Sequence, residues 1–220
     1  MATLTFGLVQ KNDRLYRWAS VLALITIFYN ILEGFVSVYF GLEDETIALF
    51  GFGLDSFVEV ISGIGIYHII RRIRQNSNSN PDSFERRALK VTGAAFSILA
   101  IGLLASAAIN LYEGHKPETT LWGIIVATVS TLTMWALIHY KIKVGTQLNS
   151  QALLADANCS KACLYLSITL LVSSTGYEFT GIGGLDSMGA LFIAGFAVKE
   201  GREAFQKAKG KTCSCQGACH

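Results

Sequence analysis

The sequence predicts an all-α membrane protein with six transmembrane helices and both ends in the cytosol. Three observations carry that prediction. Only 15% of the 220 residues are charged and 51% are hydrophobic, whereas a soluble domain carries about 25% charge. The apolar residues fall into blocks close to the ~20 residues that cross a bilayer core. Lys and Arg gather in alternate connections between those blocks, as expected when they mark the cytosolic side.

The spans are expected at about 18–40, 47–70, 91–112, 121–140 and 152–174, with a short sixth at 185–198. The first block is too long for the core of a signal peptide and has no small-x-small cleavage site, so it is a span. Arg71 and Arg72 close the second. With two prolines in the chain, long helices run unbroken.

Positive charge sits at Lys11, Arg14 and Arg17 before the first span, and from Arg71 to Lys90 after the second. It recurs at Lys141 and Lys143 after the fourth, and at Lys207, Lys209 and Lys211 in the tail. The other connections are acidic or poor in positive charge: Glu43, Asp44 and Glu45; Glu113, Lys116 and Glu118; Glu178. Residues 75–82 (QNSNSNPD) read as a flexible cytosolic linker. The chain divides into a cytosolic N-terminal segment (1–17), a six-helix membrane domain (18–205) and a Cys-rich cytosolic tail (206–220).

Ionisable residues within spans are expensive and face a cavity or a partner. The first span carries Asn30, Glu33 and Ser37 on one stripe. The second carries Asp55 and Glu59 at i, i+4, which puts two carboxylates on one helix face. The fifth carries Cys159 and Cys163 at the same spacing, with Asp156 on that stripe as a further candidate. Lys161 projects about 200° from Cys159, a position suited to helix packing. If spans two and five face each other, two carboxylates and two thiols form a tetrahedral metal site, which zinc accepts and which thiolates bias toward cadmium and other soft ions. The bland alternatives are a hydrogen-bonded acid pair between helices and buried cysteines acting as small hydrophobes.

The chain ends in CSCQGACH, where Cys213, Cys215, Cys219 and His220 supply four soft ligands for exchangeable metal capture. Five cysteines, two of them inside an apolar block, exclude a secreted disulfide framework. No basic stripe interleaved with aromatics suggests nucleic-acid binding. No C-x-x-C motif or catalytic triad suggests an enzyme, and His68 and His139 mark span ends.

These motifs resemble the transmembrane domain of the cation diffusion facilitator family. Its second span carries a pattern near D-S-x-x-D, here Asp55-Ser56-Phe57-Val58-Glu59. Its fifth typically reads A-D-A-x-H-x-x-x-D, here Ala155-Asp156-Ala157-Asn158-Cys159 followed by Cys163, so thiols replace the usual His and Asp. Its last span opens with an Asp and closes in a Gly-containing charged cluster, as do Asp186 and Lys199-Glu200-Gly201-Arg202. The ferredoxin-like cytosolic domain usual in the family has no counterpart in the short stretch after the sixth span.

The resemblance implies a cation-efflux-type bundle and proton-coupled export of divalent cations by alternating access, here of zinc or cadmium. Glu33 and Lys161 then serve proton coupling or helix packing. The expected partners are a metal cation, a proton and the bilayer, with a homodimer formed through the membrane domain. No resident cofactor is expected, and the location implied is the inner membrane of a bacterium. A non-transporting metal sensor or accessory protein is the alternative; a metal-using membrane enzyme ranks last.

Overall fold

The computed structural model describes residues 2–75, 83–114, 116–148, 151–182, 184–209, 213–214 and 218–219. Among these are six long helices: α1 (Ala2–Glu43), α2 (Ile47–Gln75), α3 (Ser83–Glu113), α4 (Leu121–Leu148), α5 (Gln151–Thr180) and α6 (Gly184–Ala208). Two short strands follow, β1 (Cys213–Ser214) and β2 (Ala218–Cys219), paired antiparallel with Cys213 opposite Cys219. By length and composition, four segments are long and apolar enough to cross a membrane: Arg14–Glu43, Ile47–Arg72, Lys90–Glu113 and Leu121–Leu148. The helix containing the sixth span is longer than the apolar run at 185–198, because the charged cluster at 199–203 continues it without a break.

The helices associate as three antiparallel pairs, α1 with α2, α4 with α5 and α3 with α6. Gly34 lies against Phe57 and Gly63 against Ile27; Gly123 lies against Ser174 and Gly145 against Leu154; Gly93 lies against Phe205 and Gly184 faces Leu111. Small residues permit the close approach that favours helix association in lipid. A Cβ on Gly53 would lie 2.8 Å from the backbone N of Val38, so a larger residue would push α1 and α2 apart. The central core is built from Leu49, Phe52, Leu103, Leu170, Ile193 and Ala194.

On α1, residues 19, 22, 23, 26, 27, 30, 33 and 37 are buried, a stripe at helical spacing. The opposite face exposes Phe28, Leu32, Phe35 and Tyr39. A continuous exposed apolar face of this kind is satisfied by lipid, and the chain is an integral, multi-pass membrane protein.

The outer ends are tied by side chains from distant parts of the chain. Asp186 accepts hydrogen bonds from the backbone N–H groups of Ile47 (3.0 Å) and Ala48 (3.3 Å), the first turn of α2. It also lies in the first turn of α6, so two helix N-termini share one carboxylate. Glu178 of α5 accepts from the N–H (3.1 Å) and hydroxyl (3.1 Å) of Thr120, just before α4. The N–H of Glu118 donates to the carbonyl of Asp44 (3.1 Å), joining the two outer connections. Burial, with Glu43 and Glu118 nearby, raises the Asp44 carboxyl above the usual range.

At the opposite end, Tyr16, Ala19 and Ala23 of α1 pack with Tyr67 and Ile70 of α2 and with Val144 and Leu148 of α4.

Candidate functional site

A group of buried polar side chains, Asn30, Glu33, Asp55, Ser56, Ser130 and Ser167, lies on α1, α2, α4 and α5. Asp55 is 3% exposed, and its Oδ1 has no hydrogen-bond partner. An ordinary buried polar atom is paired; Asp55 Oδ1, like the Asn30 amide and the Ser37 and Thr92 hydroxyls, is not. One turn on, Glu59 is partly buried and accepts a hydrogen bond from the Cys163 thiol of α5. The helical spacing that aligns Asp55 with Glu59 therefore aims the acidic face of α2 at α5. Cys163 is buried and in no disulfide, and it packs with Leu22, Met134 and Leu137.

Glu33 lies behind this pair. Its Oε1 accepts from the Tyr29 hydroxyl at 2.7 Å and its Oε2 from Ser56 of α2 at 3.0 Å. The carboxylate thus ties α1 to α2 one residue from Asp55. Ser37 and Asn30 on the same stripe are fully buried; neither the Ser37 hydroxyl nor the Asn30 amide makes a hydrogen bond. Ser130 of α4 and Ser167 of α5 share a hydrogen bond at 2.8 Å, and Ser167 donates to the Cys163 carbonyl at 2.9 Å.

Of the four residues expected to hold metal in the membrane, Asp55 and Glu59 share a helix face, and Glu59 meets Cys163. Among the described residues, no group of three or more His, Cys, Asp or Glu side chains is arranged to hold a metal ion. The side chains of Cys159 and Asp156 lie outside the described residues, although α5 runs through both positions. Cys215 and His220 lie outside them altogether, and for Cys213 and Cys219 the structure describes the paired backbone only. Lys161 is partly buried on α5.

Two participants are not evident from sequence pattern. Lys141, which reads as a cytosolic loop charge, lies within α4, is fully buried and donates from Nζ to Ser160 Oγ of α5 at 2.8 Å. A lysine at the end of an apolar run looks like a snorkelling residue, and only the α4–α5 packing turns it inward. Glu200, part of the charged cluster on α6, lies within electrostatic reach of Asp55 and Glu59. The signal for it was the persistence of charge on a helix that continues past the apolar stretch.

A family model described as the cation efflux transmembrane domain matches residues 19–209, most of the chain. The chain is 27% identical over 175 residues to "Uncharacterized transporter MJ0449" of Methanocaldococcus jannaschii, covering 78% of this chain and 62% of that protein. It is 25% identical over 159 residues to "Manganese efflux system protein MneP" of Bacillus subtilis, covering 68% of this chain and 52% of that protein. The chain therefore spans between about half and two thirds of the length of these relatives. The match runs from α1 to the end of α6 and takes in the acidic face of α2 and the α5 helix opposite it: the chain belongs to the cation efflux family.

Proposed function

We propose that this protein exports divalent metal cations in exchange for protons, through a site formed by Asp55 and Glu59 of α2 and Cys159 and Cys163 of α5. The observation that supports it best is the buried acidic face of α2, with an unpaired Asp55 oxygen, meeting the Cys163 thiol inside the membrane domain. Two carboxylates stacked in an apolar bundle are costly unless a cation or protons neutralise them. Carboxylates and thiols bind metal when deprotonated, so metal and protons compete for the same atoms. That competition is the chemical basis of antiport: metal loads from the cytosol and is released where protons replace it.

Zinc or cadmium is the preferred cargo, because thiolates favour borderline and soft ions. Manganese is the competing reading, favoured by the similarity to MneP and by the oxygen donors on α2. Asp156 is a further ligand candidate. The tail cysteines and His220 act as an exchangeable metal-capture segment beside the cytosolic mouth. A homodimer through the membrane domain remains part of the proposal.

The test is flux in proteoliposomes. Purified protein is reconstituted, an inward or outward pH gradient is imposed, and zinc, cadmium and manganese movement is followed together with lumenal pH. Wild-type protein should move metal against protons. Asp55→Asn should fall to the level of empty vesicles while its melting curve stays close to wild type. A folded Asp55→Asn that transports normally removes Asp55 from the site. Metal binding without any flux in the wild type would point instead to a sensor or accessory protein.

A further inference from the structure

We propose that the cleft between α1 and α4 binds one anionic phospholipid, its headgroup held by Arg14 and Lys143 and an acyl chain lying along the cleft. The lipid comes from the leaflet on the side where those two residues stand. The inference is independent of the transport-site assignment and of the cargo.

Three observations carry it. First, the cleft is large, about 700 Å³, and its walls are apolar: Leu22 and Ile25 of α1 face Ala136, Leu137 and Val144 of α4. It opens on the lipid-facing surface, since Ile25 is exposed and Trp18 and Tyr140 are each more than half exposed. Second, its polarity is graded along the helices. Trp18 and Tyr140, residue types that settle at the membrane–water interface, line the part nearer one end, and Lys143 and Gln147 line the mouth. Arg14 precedes Trp18 by four residues and so continues the same face of α1 by one turn. Arg14 and Lys143 are both exposed, and neither forms an ion pair with a described residue. Third, the cleft has the depth of a single leaflet. From Thr133 to Gln147, both in its lining, α4 rises about 21 Å, and half of a bilayer with its headgroups is about 20–22 Å.

These features favour a lipid over other occupants. Basic pockets between transmembrane helices, at the level of the headgroups, suit a lipid phosphate. A second copy of the chain fits less well. In a twofold dimer with its axis along the membrane normal, the partner would bring the same basic residues to the same level, so like charges would meet at the mouth. Because α1 pairs with α2 and α4 with α5, the lipid also bridges the two helix pairs that carry the acidic face and the Cys163 thiol.

The experiment uses full-length protein in which Trp122 and Trp135 are phenylalanine, so that Trp18 is the single tryptophan. It is reconstituted in phosphatidylcholine vesicles with increasing shares of phosphatidylglycerol or phosphatidylcholine brominated on the acyl chains. Quenching of Trp18 gives the relative affinity of the cleft for the two headgroups. The anionic lipid should be preferred by about 25-fold, about fivefold for each of the two basic residues. Arg14→Gln and Lys143→Gln should each remove about fivefold, and the double variant should bring the ratio close to one. Lys143→Arg should leave it unchanged. Ala136→Phe, which fills the cleft and keeps both charges, should also abolish the preference. Equal quenching by the two lipids in the protein with Arg14 and Lys143 intact overturns the inference, since the cleft then holds ordinary boundary lipid. A preference that survives the double charge variant or Ala136→Phe overturns it as well. Quenching by neither lipid, with Ile25→Cys cross-linking two chains, would show that a second copy covers the cleft and overturns it too. If the double variant does not fold, the single variants decide by the same ratio.

Discussion

Asp55 and Glu59 each impose a cost on an apolar bundle, of the order of 2.5–3.5 kcal/mol for an acid at the centre of a span, and Lys141, buried nearer the end of α4, adds a smaller one. The arrangement offsets part of it. Glu33 takes two hydroxyl donors, Lys141 takes Ser160, and Glu59 takes the Cys163 thiol. Asp55 Oδ1 is left over. If the thiols are ligands, Cys159→His with Cys163→Asp replaces two soft donors by a borderline and a hard one. Cadmium affinity should then fall relative to zinc by about tenfold, or ~1.4 kcal/mol, read by titrating both metals into wild type and double mutant. An unchanged cadmium-to-zinc ratio in a folded mutant leaves only the carboxylates as ligands. The acidic pair was legible from its i, i+4 spacing, because acids in an apolar run have no cheap alternative. Lys141 was not, because lysine at the margin of a span is ordinary and its inward turn depends on α5.

Helices supply a second kind of constraint, at their ends and crossings. The backbone donors that open α2 have no partner within their own helix. Thr46, just before α2, sends its hydroxyl toward the carbonyl of Thr119 at 3.2 Å, and Asp186, 139 residues after Ile47, caps the helix instead. Asp186→Ala should therefore destabilise the protein by about 1–2 kcal/mol, the usual range for a lost cap. Its clearest sign should be faster hydrogen exchange at the first turn of α2, measured by mass spectrometry in detergent. Unchanged exchange there would show that the cap is dispensable. Gly53 and Gly201 are further cases of the same limit. A Cβ on Gly201 would lie 3.2 Å from Phe96 Cβ, so glycine lets α6 lie close against α3. Their presence was visible in the sequence, but which helix each one admits was not.

At the scale of the whole molecule, three antiparallel pairs put the acidic face of α2 opposite α5 and leave an apolar outer surface for lipid. In the tail, the described strand β1 touches α6, whereas the proposed transport site lies between α2 and α5. Deleting residues 213–220 should therefore preserve flux at saturating metal and lower the initial rate at low free metal. Rate against free metal in proteoliposomes checks this, and complete loss of flux at saturation would make the tail part of the pathway. The sequence by itself determined the class and the six long helices of an all-α membrane protein, because hydrophobic length and scarce charge are sums over local residues that need no partner. It also marked Asp55 and Glu59, since helical periodicity alone brings them to one face. Tertiary structure alone decided that Glu59 meets Cys163, that Asp186 caps α2 and that Lys141 turns inward. These contacts join residues about 20 to 140 positions apart, and their geometry is set by how the helices pack.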